Sequence, residues 1–226
     1  AKWDGGAYSE AVVNGRKEDE TDVHNVNKKA AGLNKRDSSK TFIYALIYGA
    51  GDYKLGCIVF DDFTDAQREK FLAKYPDQDA RDAALVRLGK QRRARIMENL
   101  PALGELVKAV KSAVKKRGYL VGLDGRLLNI RSSHSALNAL LQSAGAIAMK
   151  KALVILDNMI KSTPDLRNRV WFVANVHDEF QAETYPEIAD ALGKAAAESI
   201  RLAGEHFNLR CPLAGAYEVG ANWAET

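Results

Sequence analysis

Two groups of residues have types and spacings suited to chemistry. The first is the triplet His177-Asp178-Glu179 within "VANVHDEFQAET". Alternating apolar runs on both sides predict two strands, with His177 and Asp178 at the bend and Glu179 opening the return strand. Carboxylates on a tight turn can hold Mg²⁺, which takes one or two of them and fills the rest of its shell with water and substrate phosphates. A two-metal phosphoryl-transfer site has ions about 4 Å apart and needs more carboxylate oxygens than one Asp-Glu pair supplies. The pair is therefore half of such a site, or a solvated polar turn.

The second group is Arg36, Lys40, Tyr44 and Tyr48 in "RDSSKTFIYALIYG". A four-residue repeat keeps them on one slowly drifting stripe of a helix. Arg36 and Lys40 fall in the first turns, where free N–H groups and the helix dipole already favour an anion. Two cations followed by two aromatic faces suit a ligand with phosphates at one end and a base at the other. A surface helix with two solvated cations and two half-buried tyrosines fits the same spacing. His24, near the start of an upstream helix, can add a phosphate contact or simply be an ordinary histidine.

Further along, Asn138 and Gln142 lie one turn apart on an otherwise apolar helix. Such a pair needs partners. Base edges in a minor groove or the backbone of a neighbouring strand would serve. Arg131, just before that helix, can hold a phosphate or cap the turn.

The elements that position these residues can be read from period and punctuation. Ala7 to Gly15 reads as a helix end closed by Asn-Gly, and Asp22 to Gly32 as a short helix. Asn34 is expected to cap the next helix, with Asp37 favouring its dipole, and that helix should run to about Gly49. Thr64 and Gln67 form a capping-box pair for a helix ended by Pro76. A basic helical stretch follows, interrupted at Pro101. Leu103, Leu106, Val107, Val110 and Val114 then mark one apolar face. Tyr119 to Ile130 is a hairpin candidate around Asp124-Gly125. Ser135 to Ser162 is a long helix with few polar residues, expected to be deeply buried. A helix from Glu187 to about His206 and an irregular tail close the chain. The fold class is α+β: a mostly helical front half, then an antiparallel sheet with long buried helices.

Composition narrows the function classes. The chain has 226 residues and a net charge of +4, with nearly half its residues apolar. That is enough for a sizeable core and unlike a disordered chain. Basic residues concentrate from Arg81 to Arg117, a pattern that suits either a polyanion or a solvated helix face. Cys57 and Cys211 are far apart, which fits a reducing compartment and not a zinc site. No apolar run reaches the roughly 20 residues of a membrane span. A metal phosphohydrolase built on His177-Asp178 is a weaker alternative, because such chemistry wants more histidine ligands. The chain holds only His24, His134, His177 and His206.

Taken together, the motifs resemble those of family A DNA polymerases. "RDSSKTFIYALIYGAGDYKLG" is similar to that family's fingers motif, and "VHDEFQ" to a palm motif. "GLDGR…IRSSHSALNALLQSAGA" is similar to the segment between them. "GEHFNLRC" and "GANWA" resemble the C-terminal end of replicative polymerases of small podophages. Only residues 57–88 stand outside the likeness, as an insertion in the fingers.

The resemblance implies a division into a palm helix segment (1–13), fingers (14–117) and C-terminal palm (118–226). It implies that His24, Arg36 and Lys40 hold the triphosphate of an incoming nucleotide, with Lys40 also a general acid toward pyrophosphate. Tyr44 would flank the sugar and base, where the family associates Tyr with tolerance of dideoxy-sugars. Tyr48 would check the shape of the base pair. Asp178 would bind Mg²⁺ with Glu179 in support. His177, Arg131, Asn138 and Gln142 would touch primer-template DNA. The implied setting is the cytoplasm of a host cell.

One element of the family pattern is not found: the first palm motif, an Asp followed by Ser, Glu and Arg, which carries the other metal-binding aspartate. Asp4 is a poor substitute. The resemblance thus implies a fragment whose missing part lies upstream of Ala1, joined in cis or supplied in trans, and which does not catalyse extension alone. A non-catalytic DNA- or nucleotide-binding half of a split polymerase is the alternative. Such a half should expose a large apolar palm surface.

Overall fold

A computed structural model describes residues 6–226. Asp4 and the first five residues of the expected palm helix segment lie outside the described residues. The described chain is α+β, with nine α-helices and two separate two-stranded antiparallel sheets. It forms two compact units. One runs up to Leu120 and takes up Asn129–Ala139 again; the other comprises Val121–Leu128 and Leu140–Thr226.

The first unit is helical: α1 (Ala7–Val13), α2 (Val23–Ala31), α3 (Arg36–Ile47), α4 (Asp52–Asp61), α5 (Asp65–Lys74), α6 (Gln78–Asn99) and α7 (Pro101–Arg117). Asp22 caps α2 by accepting from the Asn25 N–H at 3.0 Å, and Gly32 ends it at φ 68. The Thr64–Gln67 capping box is formed at the start of α5. Helix α3 begins one residue later than expected. Lys35 is its N-cap and has no side-chain bond to the helix; the Asn34 amide instead donates to the Asp62 carbonyl and to Gln67. A partner 28 residues away in sequence thus displaced a local cap.

Helix α4 was not expected, because "LGCIVF" combines a glycine with β-branched residues. Its glycine is what lets it pack. A Cβ on Gly56 would stand 2.0 Å from the Leu85 carbonyl oxygen, and one on Gly89 would stand 1.9 Å from that of Asp52. Helices α4 and α6 therefore touch backbone to backbone. Leu55, Ile58 and Val59 join Phe42, Leu46, Ala31 and Ile96 in one core. Fully burying each large member contributes roughly 1.5–3 kcal/mol. The second half of α4, within the segment that resembles an insertion, is thus integral to this core.

The second unit holds most of α8 (Ala136–Ser162), the hairpin of β3 (Val170–Val176) and β4 (Glu179–Thr184), and α9 (Ala189–His206). The short β1 (Tyr119–Val121) and β2 (Leu127–Asn129) form the expected hairpin, with Gly125 at φ 87. Leu156 and Ile160 of α8 pack on Leu166, Ile188, Leu192 and Ala195.

Two expectations fail at α8. It is not deeply buried: Leu141 and Val154 are exposed, and space is open around Gly145. Small residues leave it with one packed stripe instead of a covered circumference. By length and composition it is also long and apolar enough to cross a membrane, since its most apolar stretch keeps a mean hydropathy of 1.5 although the lysine pair at 150–151 interrupts the apolar run. A core helix passes the same test, and this one anchors the second unit's core.

Candidate nucleotide and metal sites

In the first unit, α3 carries the expected stripe. Phe42, Ile43 and Leu46 bury its opposite face, which leaves Lys40, Tyr44 and Tyr48 on the exposed side. The Tyr44 and Tyr48 rings lie 6.3 Å apart, centroid to centroid, tilted by 32°. Tyr48 is the C-cap, followed by Gly49 at φ 83. A Cβ at Gly49 would come 2.6 Å from the His134 carbonyl oxygen, so only glycine fits there.

Arg36 is not a free cation. Its guanidinium donates to the Asp22 carboxylate through both Nε, at 2.9 Å, and Nη2, and Asp37 lies 3.8 Å from Nη1. Hydrogen bonding from Arg36 holds the Asp22 carboxyl well below its usual range, at about 2, and Asp22 pushes the Arg36 pKa up in return. Asp22 also accepts from Asn25 Nδ2 at 2.7 Å. It therefore caps α2 and grips the first residue of α3.

His24 lies on α2 beside this pair. Burial pushes its pKa down, and Arg36 and Lys40 push it further. Its Nδ1 is buried with no hydrogen-bond partner among the described residues. Its backbone carbonyl accepts from Ser39 Oγ at 2.6 Å, which ties α2 to α3. His24, Arg36 and Lys40 thus share one electrostatic neighbourhood, with His24 favoured in its neutral form.

Two residues of this neighbourhood escaped sequence reasoning as site residues. Asp22 was legible as the start of a helix, yet nothing in its spacing marks it as the Arg36 partner. Tyr8 on α1 donates to Asn27 Oδ1 at 3.2 Å; burial pushes its phenol pKa up, and Tyr44 adds to the shift.

The basic stretch is partly structural. Arg93 pairs with Asp52 at 2.7 Å and reaches the Ala50 carbonyl. Arg92 has a buried Nε with no hydrogen-bond partner among the described residues, and Arg95 lies against Gly32. Lys108, Lys111, Lys115 and Lys116 are exposed on α7. Arg131 is exposed, and the Asn138 amide oxygen is buried with no hydrogen-bond partner among the described residues.

In the second unit, β3 and β4 pair antiparallel with Val176 opposite Glu179, so His177 and Asp178 form the two-residue turn. His177 takes φ 53, a left-handed conformation that costs a non-glycine residue about 1–2 kcal/mol. A bulge between Phe172 and Ala174 leaves Val173 unpaired. Asp178 is exposed, while Glu179 accepts from Gln181. Both carboxylates border an open depression of about 1110 Å³ lined also by Leu192, Tyr217 and Trp223. Gln142, on α8, is exposed. Among the described residues no three His, Cys, Asp or Glu side chains cluster as a metal-binding group.

The sequence matches the model of DNA polymerase family A across residues 18–225. The chain belongs to that family. It is 35% identical over its whole length to the DNA-directed DNA polymerase of Enterobacteria phage T3, and 34% identical over 99% of its length to that of Escherichia phage T7. It spans about 30% of the length of each. Against DNA polymerase I of Pseudomonas aeruginosa it is 27% identical over 84% of its length, 19% of that protein. A solved structure with the same fold is the polymerase domain of Pol1 from M. smegmatis, in complex with DNA primer-template and dNTP. It has a TM-score of 0.63 at 20% identity, covering 88% of this chain and 33% of that one.

Proposed function

We propose that this chain is the fingers and C-terminal palm of a DNA-directed DNA polymerase, which transfers nucleotides from deoxynucleoside triphosphates to a primer 3′ end on a template. The observation that carries the proposal is the α3 stripe within a family A chain: Lys40, Tyr44 and Tyr48 face outward in helical succession beyond the anchored Arg36. Lys40 and Arg36 bind the triphosphate, and neutral His24 donates or accepts one further hydrogen bond. Tyr44 and Tyr48 offer the sugar, base and template flat apolar faces. Arg131, Asn138, Gln142 and His177 contact the primer-template, where amide N–H groups such as those of Asn138 and Gln142 can donate to the acceptors of minor-groove base edges. The proposed setting is the cytoplasm of a host cell.

Asp178 and Glu179 fit a share of a Mg²⁺ site, since Mg²⁺ needs only one or two protein carboxylates beside water and phosphate oxygens. When bound, the metal neutralises charge on the phosphates and activates the attacking oxygen. This chain's part is to hold Asp178 exposed at the tip of a strained turn. The other carboxylate of a two-metal site comes from a preceding segment, in cis or in trans.

A separate observation fits a further palm layer, whether joined in cis or supplied by the other half of a split polymerase. Trp171, Val173 and Val176 of β3 are 50%, 60% and 37% exposed, a sheet face with no covering layer among the described residues. Palm strands from a first half are the layer that fits it. The phosphohydrolase reading has no comparable support.

Primer extension tests the proposal. Joined to, or mixed with, a segment that carries the missing aspartate, the chain extends a primer with Mg²⁺ and all four dNTPs. No extension in either format would overturn the functional reading.

A further inference from the structure

Helix α3 lacks a local cap, yet its start is held. The Asn34 N–H donates to Asp62 Oδ2 at 2.6 Å and the Lys35 N–H to Asp62 Oδ1 at 2.9 Å. In return Asn34 Nδ2 donates to the Asp62 carbonyl at 3.0 Å and to Gln67 Oε1 at 2.9 Å. Gln67 is itself the capping-box residue of α5. Asp62 is 1% exposed, and the guanidinium of Arg92 lies near enough to feel its charge. A buried carboxylate is tolerated only when its oxygens are used, and here both are, at the positive end of a helix.

We infer that Asp62, with Gln67 beside it, is a positioning residue for the nucleotide-binding helix α3. The inference rests on the proposed function of α3. The chain of contacts is short. Asp62 fixes the amides of Asn34 and Lys35; the next residue, Arg36, enters the Asp22 grip; Lys40 follows one turn on. Without Asp62, two amides lose charged acceptors and the start of α3 is free to move against α2. An ordinary N-cap would stabilise the helix equally well but would not fix where it stands, because it travels with the helix. A carboxylate rooted in α4–α5 ties the helix to a separate part of the core.

The experiment separates position from stability. In the complete polymerase, Asp62→Ala raises KM for the dNTP about tenfold while kcat changes less than about twofold. Adding Lys35→Asn supplies a local cap without a new negative charge beside Arg36, which restores Tm but not KM. An unchanged KM, or a KM restored together with Tm, would overturn the inference. Where Asp62→Ala does not fold, Asp62→Asn, which keeps one acceptor, is measured in its place.

A second readout on this chain needs no polymerase activity. The NMR titration of His24, which burial and then Arg36 and Lys40 push down, moves toward its ordinary pKa in Asp62→Ala and stays moved when Lys35→Asn is added. An unmoved titration overturns the positioning role, whereas a wild-type polymerase that makes no DNA overturns only the functional reading.

Discussion

Replacing Asp22 with Asn removes one charge and little else. Asn is as good an N-cap as Asp, so the cap on α2 survives while the ion pair with Arg36 becomes a neutral hydrogen bond. The Asp22 pKa falls from 3.8 to about 2 on folding. By linkage such a depression corresponds to ~2 kcal/mol at neutral pH. A quarter of the Arg36 side chain remains in solvent, which screens the pair and brings the expected loss to about 1–2 kcal/mol. The sign follows from the direction of the shift. A carboxylate with a depressed folded pKa contributes fully above its unfolded value of 3.8 and loses that contribution as pH falls toward 2. Urea unfolding of wild type and Asp22→Asn at pH 7, 5 and 3 reads this out. The stability gap should hold from pH 7 to 5 and shrink to about half by pH 3. A gap absent at pH 7, or constant down to pH 3, would refute the assignment of the pair as the cause.

Other substitutions test the packing and the turn. Gly89→Ala should destabilise the first unit by about 1–3 kcal/mol despite alanine's better helix propensity, because the new Cβ meets backbone and not a movable side chain; urea unfolding measures it. His177→Gly relieves the left-handed strain and should stabilise the second unit by about 0.5–1 kcal/mol after the entropic cost of glycine, read by thermal unfolding. Asp178→Ala should leave Tm within about 1 °C of wild type, since the side chain is exposed and surface changes are worth little. In the complete polymerase the same change should abolish primer extension.

The parts legible in the sequence are those decided within a few residues. The four-residue stripe on α3, the Thr64–Gln67 capping box, the Gly32 helix end and the two-residue turn at His177-Asp178 all depend on local period or local turn chemistry, and all formed. What was not legible depends on partners far along the chain. Asn34 looks like a helix cap, but Asp62 takes its amide from 28 residues away. Helix α4 has poor intrinsic preference and forms because Gly56 and Gly89 allow backbone contact with α6. Arg36 reads as a free cation until Asp22 is seen against it. The apolar sequence of α8 suggests burial on all sides, whereas burial is confined to Ala136, Leu137, Ile147, Ala148, Ala152, Leu156 and Ile160, and Leu141 and Val154 stay exposed. Apolar composition measures what a helix can bury, and the neighbours decide how much of it is covered.

The proposal that α3 binds the nucleotide and that Asp178 and Glu179 supply only part of a metal site has one direct test. It is primer extension with Mg²⁺, run on the chain alone and on the chain combined with the segment carrying the missing aspartate. The expected result is no extension by the chain alone, extension by the combination, and loss of that extension on Asp178→Ala. Template-directed incorporation by the isolated chain would contradict it.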